Sequence, residues 1–355
     1  MVISHIPLTK LTSHFGLDYE PVLKDKGAML SITGHDMVYS LKDTVDGDSI
    51  YTVIAGGYNG SGAHNTSVSL LLSDGYAYIN ACKYQGGTTT LPDTRTVELA
   101  TGETLGRTVS RPPLVDGTYL LSTAGHLNWL SGQCRSANSF SGVTFRMVSD
   151  IDLMLVPFTP IGGNDTVSND NNTTSYGFAG TFDGNGYQIR NLNIVTANNN
   201  VGLFGVVRGG TVRDLTVSGG MGDGGWYVGG LAGASYDAVY ENCYCDVMVY
   251  SEGGSKVAGI TGFLSHGSRI DRCANYGSVT THHAGGSAAG IAGQLYSATV
   301  NRIENSYNRG SVVAHGQSAI AGGIFGYAGN VAVSVENCYN AAPVVCPGSQ
   351  GTASL

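Results

Sequence analysis

From Gly202 onward the chain repeats one short pattern, apolar residues enclosed between two glycines. It reads GLFG at Gly202–Gly205, GLAG at Gly230–Gly233, GITG at Gly259–Gly262, GIAG at Gly290–Gly293 and GIFG at Gly323–Gly326. GTFDG, from Gly180, reads as a divergent member. The spacing of the leading glycines is 22 residues, then 28, 29, 31 and 33. That period suits one coil of a β-solenoid and is too irregular for a coiled coil. Leu203, Leu231, Ile260, Ile291 and Ile324 then form an interior ladder, one rung per coil.

A second motif follows each glycine motif: IRNLNI (Ile189–Ile194), VRDLTV (Val212–Val217), YENCYC (Tyr240–Cys245), IDRCAN (Ile270–Asn275), IENSYN (Ile303–Asn308) and VENCYN (Val335–Asn340). Read as columns, position one is apolar: Ile189, Val212, Tyr240, Ile270, Ile303, Val335. Position four is apolar or small: Leu192, Leu215, Cys243, Cys273, Ser306, Cys338. The two polar residues between them imply a bend with both side chains outside. Positions four to six alternate in, out, in, as a pleated strand requires.

These residues resemble the GLUG repeat, found in large bacterial surface proteins, including adhesin-like proteins and the non-catalytic parts of IgA-specific metallopeptidases. The upstream DIDL (Asp150–Leu153), PIGG (Pro160–Gly163) and FAGTFDGNGYQIRNLNI (Phe178–Ile194) resemble what precedes such repeats. The resemblance covers about residues 117–346. It implies a mainly β chain built as a right-handed parallel β-helix, and it implies no particular activity. No HExxH motif is present, so protease function is not implied.

Upstream, the pattern divides the chain. Residues 1–91 alternate short apolar runs such as YTVIA (Tyr51–Ala55) and SVSLLL (Ser67–Leu72) with Gly, Asp and Asn. That reads as strands and turns, with a helix within Ile6–Pro21 ended at Gly16, and hence a small α+β domain. Residues 92–116, with Pro112–Pro113, read as a linker with one possible strand. Within 117–346, Tyr119–Cys134 predicts a helix capped at Ser122 and covering the open end of the β-helix, with Trp129 packed in the cap. Gly162–Ser175 reads as a protruding polar loop. Residues 347–355 read as a tail; a terminal coil needs covering, so further domains are expected in the native protein.

Composition narrows the setting. Charged residues make up 12% of the 355, against 53 glycines, and net charge is −8 with no basic run. Nucleic acid is therefore an unsuitable partner. Low charge with many Gly, Ser, Thr, Asn and Tyr suits an extracellular or cell-surface protein. No apolar run is long enough to span a membrane as a helix. Seven cysteines are present. Cys243, Cys273 and Cys338 share an inward column, where they read as small hydrophobes rather than disulfides.

Candidate chemistry lies in the outward columns. Position two carries Arg190, Arg213, Glu241, Asp271, Glu304 and Glu336. Four carboxylates stacked about 4.8 Å apart call for solvation, for Arg272 and Arg302, or for a calcium ion, which favours clustered carboxylates. Position five places Asn193, Thr216, Tyr244, Ala274, Tyr307 and Tyr339 outside; Tyr244, Tyr307 and Tyr339, with Trp226 on its glycine-rich turn, are candidate platforms for a sugar or partner. Position six changes from Ile194, Val217 and Cys245 to Asn275, Asn308 and Asn340, an inward amide ladder. His282, His283 and His315 fall near equivalent turns. Two functions are compatible: a non-catalytic, adhesin-like module or stalk binding a host glycan or protein, or a polysaccharide lyase or glycoside hydrolase. An enzyme would draw on Asp271 with Arg272 and Glu304 with Arg302.

Overall fold

The computed structural model describes residues 109–347 apart from 137, 155, 164–176, 197, 223–224 and 330; outside that range it describes only the backbone of strands. The helix expected within Ile6–Pro21 and the polar loop beyond Gly163 lie outside the described residues. The chain parts into two compact units, Met1–Gly106 and Arg107–Leu355.

In the first unit, Val2–Ser4, Leu30–Thr33 and Tyr51–Ile54 pair in parallel, and Ser40–Lys42 adds antiparallel to the last. Asn65–Ser73, Tyr76–Gln85, Thr88–Glu98 and Thr104–Leu105 form an antiparallel meander. Residues 92–98, read from the sequence as linker, thus continue a strand. Its register shifts between the partners Ala81 and Lys83, beside Pro92, which has no N–H to donate to a ladder.

The second unit is a parallel β-solenoid of about seven turns. Each full coil visits four sheets in order. In the coil from Val239, sheet one takes Val239–Glu241, sheet two Tyr244–Ser251, sheet three Lys256–Ala258 and sheet four Thr261–Ser265. Sheets one and two meet at the polar bend. Its pivot residues, Asp214, Asn242, Arg272, Asn305 and Asn337, all adopt the left-handed conformation, with φ of 50–55°, which Asn and Asp tolerate best. The glycine motif turns the chain from sheet three to sheet four.

Backbone register confirms most columns. Val212, Tyr240, Ile270 and Ile303 stack and are fully buried. So do Leu203, Leu231, Ile260 and Ile291. Val335, on the last of these coils, is left exposed. Two early assignments shift. Phe182, not Ile189, stacks beneath Val212, and Ile189 pairs with Val217. GTFDG therefore belongs to sheet one, and PIGG occupies the glycine corner, with Ile161 bridging Phe204. The sequence FDGNGYQI carries two extra residues at the bend, which hides this alignment.

The N-terminal end is closed by helix α1 (Ala124–Arg135). Its cap is Thr123, one residue later than expected, whose hydroxyl accepts from the His126 amide at 3.3 Å. Leu127, Leu130 and Cys134 are fully buried and continuous with the solenoid core. Trp129 packs on Tyr119 and Phe140, as a cap residue should. At the other end, residues read as a tail supply a further strand: Thr352–Ser354 pairs with Ile320–Gly322. Cys134, Cys243, Cys245, Cys273, Cys338 and Cys346 are free thiols, and burial pushes those of Cys134 and Cys245 up to about 12.

The asparagine ladder is directional. Asn275 Nδ2 donates to Asn308 Oδ1 at 2.8 Å, and Asn308 Nδ2 to Asn340 Oδ1 at 2.7 Å. Each amide also donates to the carbonyl two residues ahead: Gly277, Gly310 and Ala342. The ladder starts with Asn275 Oδ1 buried and without a partner. Asn308→Ala removes the middle rung, takes one partner each from Asn275 Nδ2 and Asn340 Oδ1, and leaves the buried Gly310 N–H and carbonyl without their Asn308 bonds. We expect a cost of about 2 kcal/mol or more in chemical denaturation, and a smaller one for Asn340→Ala at the open end; equal effects would argue against the ladder.

Candidate functional site

The outward position-two column runs Arg146, Asp183, Arg213, Glu241, Asp271, Glu304, Glu336. Asp183 takes the place read from the sequence as Arg190. Its Oδ2 lies 3.1 Å from Arg146 and 2.9 Å from Arg213. Beyond Arg213 the four carboxylates stack as expected, but their cation comes from an unexpected residue. Arg269, two residues before Asp271 on the same strand face, binds Glu241 at 3.1 Å, Asp271 at 2.9 Å and Glu304 at 3.0 Å. Arg272 also pairs with Asp271, and Asn305 Nδ2 donates to Asp271 at 2.9 Å. Asp271 is consequently sealed from solvent. One guanidinium fork thus holds three coils together, and its neighbours raise its pKa, led by the Glu304 hydrogen bond. Glu336 stays outside, bonded to Ser334. Among the described residues no group of three or more His, Cys, Asp or Glu converges on a cation position. Arg302 stacks beside Arg269 in register and forms no ion pair with Glu304. Asp271 and Glu304, the carboxylates on which an enzyme would draw, are thus both paired with Arg269.

The tyrosine column is partly assembled. Thr216, Tyr244, Ala274, Tyr307 and Tyr339 are in register; Asn193 is not, since it pairs with Gly220. The Tyr307 and Tyr339 rings stack at 5.1 Å with 7° between planes. Tyr276, unremarked in the sequence, meets Tyr307 edge-on at 5.9 Å, their hydroxyls 2.5 Å apart. That bond raises the Tyr307 pKa. Arg309 lies 5.7 Å from the Tyr307 centroid. Tyr244 stands apart behind Ala274, its hydroxyl donating to Asn242. Trp226 is half exposed and sits at the start of sheet three, away from the stacked rings along the chain.

A third feature escaped the sequence reading. Tyr227 points outward from sheet three and Phe263 outward from sheet four, yet their rings lie 4.6 Å apart. Both are buried in a cluster separate from the interior core, so the outer surface folds inward there. The glycine corner therefore makes a groove running along the solenoid. Its walls are Tyr227, Lys256, Ser287 and Ile320 on sheet three and the columns Val206–Ala234–Phe263–Gln294–Tyr327 and Arg208–Tyr236–Ser265–Tyr296 on sheet four. In its first half, Tyr227, Tyr236 and Phe263 bury one another, and Arg208 lies over the Tyr236 ring at 4.2 Å. In its second half, Tyr296 and Tyr327 are more than 40% exposed. The signal was available as fixed offsets from each glycine motif: three residues before it, and four and six after.

No known family's profile matches the chain, and no curated protein matches it. It is similar in structure to a protein of Bacteroides ovatus provisionally named as an immunoglobulin A1 protease, at 19% identity and a TM-score of 0.49, over 69% of this chain and 86% of that one.

Arg269→Gln leaves buried Asp271 with only part of its compensation. We expect a loss of about 2 kcal/mol, discounted because Arg269 is itself partly open to solvent. Glu336→Gln should be neutral, and calcium or EDTA should leave the wild-type melting point unmoved. A calcium-dependent rise would place a second cation on the ladder.

Proposed function

We propose that this protein is a non-catalytic, adhesin-like binding module of a bacterial surface or secreted protein, with a host glycan or protein as its partner. The observation that supports the reading is the parallel stack of Tyr307 on Tyr339, extended by Tyr276. Backbone register between coils fixes these rings, so the outer face of sheet two carries a rigid, amphipathic surface. Rigid tyrosines give large contact area at small entropic cost. The face continues through exposed Met248 and Tyr250, whose alternating partners, Val247 and Val249, fill the core. The exterior is thus free to vary for recognition while the interior sets the fold. Low charge and a glycine-rich, β-only coil support an extracellular setting.

Screening immobilised glycans and matrix proteins tests the proposal. The double variant Tyr307→Ala/Tyr339→Ala should weaken a specific ligand at least about tenfold, roughly 1.4 kcal/mol, without changing the melting point much. A wild-type protein that binds nothing in such screens would leave a spacer role.

A further inference from the structure

The open half of the re-entrant groove has a composition of its own. Lys256 belongs to the same coil as Phe263, yet its Nζ lies 5.5 Å from the centroid of Tyr327, two coils further on. It crosses the intervening coil above Ser287, a small residue whose hydroxyl is tied down to the Gly293 carbonyl at 2.6 Å. The ammonium is partly desolvated, which lowers its pKa, and no charged neighbour opposes that shift. Among the described residues no carboxylate pairs with it, although the chain carries a net charge of −8. Gln294, in register between Phe263 and Tyr327, has an amide that bonds to no partner among the described residues. Tyr296 stacks against Phe263 at 6.2 Å and is nearly half exposed.

We infer that Tyr296, Tyr327, Gln294 and Lys256 form a binding subsite for a carboxylate-bearing glycan, distinct from the tyrosine face of sheet two. The exposed rings offer flat apolar surface to the C–H faces of sugar rings. The amide offers a donor and an acceptor to hydroxyls. The lysine offers a positive charge to a uronate carboxylate in a place where the surrounding low dielectric strengthens the attraction. A peptide suits the groove less well. Its walls are interior strands whose backbone groups are already paired between coils, so no sheet edge is left to bind an extended chain. The groove runs along the stacking axis, and its open half, from the Phe263 rung through Gln294 to Tyr327, spans roughly 10 Å at about 4.8 Å per coil, enough for a disaccharide unit laid lengthwise.

Calorimetric titration of the whole chain with oligogalacturonate, oligoalginate and hyaluronate oligomers tests this. Binding of at least one acidic oligomer is expected, weakened about tenfold or more by its methyl ester, by Lys256→Gln and by Tyr296→Ala, and weakened by added salt. Melting points of both variants should stay near wild type, since both side chains are partly exposed. Tyr307→Ala/Tyr339→Ala should leave this binding intact, so the groove and the sheet-two face succeed or fail separately. No binding to any acidic oligomer, equal binding of the ester, or an unaffected Lys256→Gln would overturn the inference. So would a poly-glutamate peptide bound as tightly as the best oligomer.

Discussion

The close approach of backbone at the glycine corner is the constraint on which the rest of the solenoid depends. A β-carbon on Gly262 would lie 2.5 Å from the Val228 nitrogen and 2.8 Å from the Lys256 oxygen; one on Gly233 would lie 2.5 Å from the Val201 nitrogen. Sheets three and four are therefore folded against each other with no room for a side chain between them. That single demand explains why glycine recurs at matching positions while its neighbours drift among Leu, Ile, Phe, Ala and Thr. It also produces the groove, because a turn this tight brings the outer faces of two sheets into contact. The repeat signature and the candidate ligand site thus have one cause.

The second corner works on a different principle. Where sheet one meets sheet two, the chain turns through residues in the left-handed conformation, and their side chains remain outside. Asn242 donates to Asp214 and Asn337 to Asn305, so the bend is supported from coil to coil by polar contacts rather than by closeness. Alongside it the charged column alternates in sign at first, Arg146–Asp183–Arg213, and then relies on Arg269 once acids follow one another. Charge is scarce in this chain, and much of it is gathered here to stitch coils together.

The architecture was legible because the solenoid converts linear period into spatial stacking: a residue's depth follows from its place in the repeat. Buried columns, the polar bend, the amide ladder and the capping helix could all be read this way. Errors arose where the count changed. Two extra residues in FDGNGYQI moved Ile189 and Arg190 into the wrong columns and concealed Asp183. Arg269 was missed because it lies one position ahead of the motif, although a strand's alternation puts it on the same face as Asp271. The aromatic groove was missed for a deeper reason. Its residues are outward by sequence pattern and buried by the shape of the corner, and shape is a property of two sheets together that no single strand displays.

The amide ladder has one further consequence. Its side-chain amides all donate toward the C-terminus, so it has a beginning and an end that differ chemically. Only the first acceptor, Asn275 Oδ1, is stranded in the core, next to the coil where Cys245 occupies the same position. That defect occurs once per ladder whatever the number of rungs, whereas every added asparagine coil brings another pair of satisfied bonds. Lengthening is thus favoured over starting anew, and at either end: an asparagine placed one coil ahead would donate to the stranded Asn275 oxygen and carry the single defect with it. A solenoid of this kind therefore accommodates duplicated coils most readily next to an existing asparagine.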